Sequence, residues 1–117
     1  MRIFRRKNKR PKVLVRYGSR SIGELWLQGE LYHFVYLPDF FKLKLKPVPG
    51  LPEPEKDKVY ESPELWPFFS VRIPDLTRKD VQDIVQSKGL NEKDRLGLLV
   101  VLGRETINNP FSLAPAR

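Results

Sequence analysis

Apolar and polar positions change their spacing along the chain, and the changes mark its elements. Val13-Leu14-Val15-Arg16-Tyr17 is β-branched and aromatic, and it ends at Gly18-Ser19 with turn chemistry. Ile22 to Gln28 continues in the same style, Gln28-Gly29-Glu30 predicts a tight connection, and Leu31 to Leu37 follows. The expected product is a meander of three antiparallel strands. Side chains two apart share a face, so Tyr32, Phe34 and Tyr36 lie on one side of the third strand, with Leu31, His33, Val35 and Leu37 on the other. In the second strand Leu25 and Leu27 oppose Glu24, Trp26 and Gln28. Apolar groups on both faces predict a sheet covered fully on one side and partly on the other.

Pro38-Asp39 stops the third strand, and Phe40 with Phe41 supplies two large anchors. Lys42-Leu43-Lys44-Leu45-Lys46 alternates strictly, which predicts a short edge strand with lysines on its wet face. Pro47, Pro49, Gly50, Pro52 and Pro54, followed by Glu55-Lys56-Asp57-Lys58, predict a loop. A short helical turn is expected near Leu65 to Phe69. Pro63 suits the first position of such a turn, whereas Pro67 biases Trp66 away from helical geometry.

Two longer helices follow. Thr77 and Asp80 stand in capping-box spacing, Leu76 and Val81 fit a hydrophobic staple, and Val81, Ile84 and Val85 recur at helical spacing before a Gly89 stop. The next helix is predicted from Asn91, with Glu92 and Asp94 in its first turn, to Gly103. Leu96 and the run Leu98 to Leu102 make it apolar nearly all round, so it should be the buried one. Asn109 to Pro115 offers a last short strand or a cover for the core. The expected fold is a single α+β domain, a small antiparallel sheet packed by two main helices over residues 13–117, preceded by an arm at residues 1–12.

Length and charge sharpen this picture. At 117 residues the chain has room for one core. It carries 22 Lys plus Arg against 14 Asp plus Glu, a net charge of +8. Seven of those cations, Arg2, Arg5, Arg6, Lys7, Lys9, Arg10 and Lys12, fall in the first twelve residues with no acid among them, so the body is nearly neutral. Such an arm either solubilises a terminus or neutralises phosphates, and Arg5, Arg6, Lys7, Lys9 and Arg10 are its nucleic-acid candidates. The absence of Cys excludes disulfides, thiolate metal sites and a cysteine nucleophile, and fits a reducing cytoplasm. The apolar run Leu98 to Leu102 is far below the roughly 20 residues that span a bilayer, so no membrane role is expected.

The residues argue against an enzyme. His33 is the only His, set in mid-strand where a structural or solvent-facing role is the better reading, and no metal set, triad or phosphate-binding glycine loop is spelled out. No cofactor is expected. What stands out instead is Leu65-Trp66-Pro67-Phe68-Phe69, more large apolar surface than one turn can bury inward. Phe68 and Phe69 suit a core, and Trp66 is split between core and contact with a partner, because a rigid Trp is the kind of anchor that dominates interfaces.

The order of these features resembles the start of the HipA family of serine/threonine kinase toxins. Gly23-Glu24-Leu25, the hairpin into Tyr32-His33-Phe34-Val35-Tyr36 with Pro38-Asp39-Phe40-Phe41, and Leu43-Lys44-Leu45-Lys46-Pro47 are similar to its opening segments. Leu65 to Phe69 with Arg72-Ile73-Pro74-Asp75 looks like its aromatic segment, departing from it at Arg72 and Ile73 and lacking an Asn at Ser70-Val71. Leu102-Gly103-Arg104-Glu105-Thr106 resembles its closing element, with a departure at Ile107-Asn108-Asn109-Pro110. The likeness runs from about residue 20 to 115 and leaves out the arm. A kinase of this family continues into an ATP site and catalytic aspartates that have no counterpart in this sequence. In split systems of the family the first subdomain is a separate chain, HipS, beside a shortened kinase, HipT, and a DNA-binding protein, HipB. The resemblance therefore implies a non-enzymatic HipS-like antitoxin in a HipBST-type system. It would inhibit a HipT-like kinase by docking on its N-terminal lobe and obstructing the active site, with a HipB-like protein in a larger complex. DNA would then be met indirectly or through the arm. The partner-binding candidates are Trp66, Pro67 and Phe68, with Arg72 beyond them. The competing expectation is a small basic nucleic-acid-binding protein or accessory of an operator complex.

Overall fold

Alternation in the first third of the chain folds as expected. In the computed structural model, which describes residues 12–103 and 110–116, β1 (Lys12–Tyr17), β2 (Arg20–Gln28) and β3 (Leu31–Tyr36) form the antiparallel meander. The β2–β3 connection is a two-residue turn with Gly29 at φ 61° and Glu30 at φ 66°. Two left-handed residues in succession give a type I′ turn, whose hand matches the twist of the flanking strands.

The lysine alternation does not make an edge strand. Pro38, with its φ already set for a helix, takes the first position of α1 (Pro38–Lys42), and the chain then bends through Lys44 at φ 55°. The edge is formed by β4 (Val59–Ser62), which pairs with β3 and places Phe34 opposite Tyr60 and Val35 opposite Val59. At the other side β5 (Phe111–Pro115) pairs with β1, so the sheet order is β4-β3-β2-β1-β5, antiparallel throughout. Between β1 and β2 the register slips: Val15 faces Gly23 but Arg16 faces Ser21. The extra residue, Ile22, breaks strand parity and is buried as completely as Leu25.

One face of this sheet carries the main core. Val13, Val15, Ile22, Leu25, Phe34, Tyr36 and Leu113 from the strands meet Phe40 of α1, Val48 of the loop, Phe68 and Phe69 of α2 (Pro67–Ser70), and Leu96 and Leu99 of α4 (Arg95–Leu102). α4 reads as predicted, apolar nearly all round and buried on both sides: Leu98 turns from the sheet to a smaller cluster with Val81 and Val85 of α3 (Lys79–Ser87). Of the two longer helices only α4 therefore joins the layer beneath the sheet, beside the short α1 and α2, and α3 packs against α4.

Both helices begin later than the sequence suggests. Asp75 accepts the Thr77 amide at 2.9 Å and its hydroxyl at 2.6 Å, while Asp80 pairs with Arg78 at 2.6 Å, so the Thr77/Asp80 capping box does not form. These contacts stabilise the Asp75 and Asp80 carboxylates, holding both below the ordinary value. Asn91 closes a local turn on the Lys93 amide at 2.8 Å, and the α4 cap is Asp94, which accepts the Gly97 amide at 3.1 Å. The end of α3 is as expected, with Gly89 at φ 64°, its amide donating to Gln86 and that of Leu90 to Val85, the double bond of a Schellman motif. Among the described residues no helix is long and apolar enough to cross a membrane.

Candidate partner-binding site

Pro67, rather than Pro63, opens the helical turn at the aromatic segment. It sits at the first position of α2 and forces Trp66 into extended geometry, φ −65° and ψ 150°. The Trp66 carbonyl then accepts the amides of Phe69 at 2.8 Å and Ser70 at 3.0 Å, which fixes the Trp66 backbone at the mouth of the turn. Upstream, the Ser62 hydroxyl donates to the Glu64 carbonyl at 2.6 Å and accepts its amide at 3.1 Å, so the approach to Trp66 is held as well.

The four candidate residues separate into two pairs. Trp66 is half-buried against Phe34, ring centroids 6.0 Å apart, and Pro67 is exposed. Phe68, 5 % exposed, packs edge-on against Phe69 at 5.1 Å and lies in the core. Arg72 is also interior, 5 % exposed, against the expectation that a cation at this place faces a partner. Its guanidinium lies 4.5 Å from the Phe68 ring centre and donates to the carbonyls of Gly103 at 3.4 Å and Phe111 at 3.1 Å. Burial pushes the Arg72 pKa down from its ordinary value. Gly103 ends α4, and the C-terminus of a helix carries the negative end of its dipole, so the backbone offers the buried cation a partial counter-charge. Phe68 and Arg72 thus tie the turn to α4 and β5, and Trp66 and Pro67 are what the turn presents.

A residue that the sequence reading passed over joins the presented pair. Val71 is 78 % exposed and stands four residues after Pro67, on the same flank of the turn. A further apolar residue two positions after the Phe68-Phe69 pair, beyond Ser70, was the available signal. Trp66, Pro67 and Val71 make a small apolar surface backed by a rigid aromatic core.

His33 is half-buried in β3 among side-chain and backbone contacts. Its Nδ1 lies 3.0 Å from the Leu31 carbonyl, its Nε2 lies 3.2 Å from Glu61, and its ring stacks on Trp26 at 5.4 Å. Among the described residues no group of three or more His, Asp or Glu side chains could hold a metal ion. Arg5, Arg6, Lys7, Lys9 and Arg10, and the segment Arg104-Glu105-Thr106, lie outside the described residues.

A family model described as the HipA N-terminal domain matches residues 13–107 of the 117. No curated protein matches the chain.

Proposed function

The chain belongs to the HipA N-terminal domain family, and from that membership we propose that it is an antitoxin subunit that binds a HipA-related serine/threonine kinase and keeps it inactive. The family places the chain in a toxin–antitoxin context. The observation that supports inhibition by docking is the Trp66 turn, a half-buried Trp beside exposed Pro67 and Val71 on a fixed backbone. A pre-organised aromatic anchor loses little freedom on binding, which is what makes such residues dominate interfaces. Kinases must close over ATP to align its phosphates, so a rigid wedge on the N-terminal lobe would hold the cleft from closing.

Co-expression with the kinase tests this. The unaltered chain relieves the growth arrest that the kinase causes, whereas Trp66→Ala, shown to be folded by circular dichroism, binds at least tenfold more weakly and does not relieve it. Full relief by the folded variant would sink the assignment. The arm supports a second activity, since seven cations without an acid in twelve residues suit phosphate contacts. Removing residues 1–11 should abolish salt-sensitive duplex binding and leave kinase neutralisation intact; loss of neutralisation would move the docking site to the arm.

A further inference from the structure

A cavity of about 660 Å³ opens where β3 and β4 end against α1. It lies at the opposite end of β4 from the point where the chain leaves for Trp66, and nothing in the reading above uses it. Val35, Tyr36, Phe41 and Val59 give it an apolar lining, and Lys42, Lys56 and Lys58 stand around it with Asp57 as the single acid. Val59, directly opposite Val35 in the ladder, is 52 % exposed. Beside the cavity runs the outer edge of β4, which pairs with β3 on one side and makes no backbone hydrogen bond on the other among the described residues.

We propose that this corner binds an acidic, extended segment of a partner protein, which adds to the free edge of β4 and sets one apolar side chain into the cavity. A strand laid along β4 carries alternate side chains beside Val59, where the lining is apolar, and its carboxylates then meet the lysines. The charge favours that occupant. Lys58 is paired with Glu55 at 3.4 Å, but Lys42 and Lys56 have no carboxylate partner among the described residues. Lys56 and Lys58 also lie over the rings of Phe41 at 5.7 Å and Tyr60 at 5.0 Å, so their stems are already partly ordered before an anion arrives. Lysines beside an edge strand discourage pairing with a second copy, which would bring the same cations. An acidic strand turns that repulsion into attraction.

The test is a selection from a phage library of random dodecapeptides on the full chain, followed by amide chemical-shift mapping with one enriched peptide. Enriched peptides should be acidic around one apolar residue, should shift Val35, Lys56, Lys58 and Val59, and should bind the surface variant Lys42→Glu/Lys56→Glu at least tenfold more weakly. Failure to enrich peptides, enrichment of neutral or basic ones, or equal binding by the folded double variant would overturn the proposal. A single-stranded DNA dodecamer is run in parallel. Shifts at the same residues with affinity equal to the peptide's would overturn it too, by reassigning the lysines to phosphate. The readout does not involve the kinase, so its outcome is independent of the Trp66 experiment.

Discussion

The two apolar clusters among the described residues differ in kind. Beneath the sheet, Phe34, Tyr36, Phe40, Phe68 and Phe69 interlock edge to face or, for Tyr36 and Phe40, tilted, with neighbouring ring centres 4.6 to 5.9 Å apart, and the strands, loop and α4 close around them. At the helical corner only Val81, Val85 and Leu98 are buried, flanked by the half-buried Ile73, Leu76, Leu90 and Leu102, and Ile84 is left 39 % exposed. The Trp66 turn is mounted on the first cluster and α3 rests on the second. Rigidity is therefore concentrated where the proposed contact surface stands, and the corner is the part that opens at the least cost.

The largest blow to that contrast is Phe69→Ala. The ring is fully buried and touches both Phe34 and Phe68, so its loss should cost about 3–5 kcal/mol in denaturant unfolding. A cost below about 1 kcal/mol would mean the aromatic layer is not the stabilising one. Next comes Arg72→Met, which removes the two hydrogen bonds that the guanidinium donates to backbone carbonyls and should cost about 2–3 kcal/mol. Its amide exchange should quicken at the C-terminal end of α4 and along β5 while β2 and β3 keep their protection.

Val85→Ala removes two methyl groups from the corner, about 1.6 kcal/mol at roughly 0.8 kcal/mol for each carbon. It should raise exchange across α3 more than in β2 or β3; a uniform rise would show that corner and sheet unfold as one unit. The smallest effect at neutral pH is Tyr36→Phe, about 1 kcal/mol for one hydrogen bond, that of the Tyr36 hydroxyl to the Pro52 carbonyl. Burial, with smaller contributions from Tyr60 and Glu53, pushes the Tyr36 phenol well above the ordinary 10.0. The folded state thus holds that proton more tightly than the unfolded chain. Its share of stability is whole below about pH 10 and is lost as pH rises toward the folded value. Tyr36→Phe should flatten the alkaline loss; an unchanged alkaline limb would assign it elsewhere.

Legibility in the sequence followed the range of the interactions. β1 to β3 could be read because their alternation and turns are local, and so could the Gly89 stop and the buried α4. Lys42 to Lys46 has a better strand pattern than Val59 to Ser62, yet the latter is the strand. The pairing of Tyr60 and Val59 with Phe34 and Val35 is nonlocal and outweighs pattern. The helix starts differ for a separate, local reason: Asp75 and Asn91, each two residues from its partner, compete for the same amides and hydroxyls that a cap would use. At the candidate site, the aromatic run announced itself, but the inward turn of Arg72 depends on carbonyls at Gly103 and Phe111, far along the chain.

The proline-rich loop has a consequence for how this chain can be cut and rejoined. The Gly50 carbonyl takes the Phe68 amide at 3.1 Å, and the Pro52 and Glu53 carbonyls take the hydroxyls of Tyr36 and Tyr60. Gly50 itself sits at φ 89°, where a Cβ would come within 2.6 Å of the Phe68 nitrogen. New termini between Leu51 and Pro52 would therefore loosen the mount of Trp66 and the roof of the aromatic layer in one stroke, although composition alone would nominate this loop for circular permutation. The Gly29-Glu30 hairpin, exposed and with nothing within 4 Å of where a Cβ at Gly29 would stand, is the place to break the chain or graft a label.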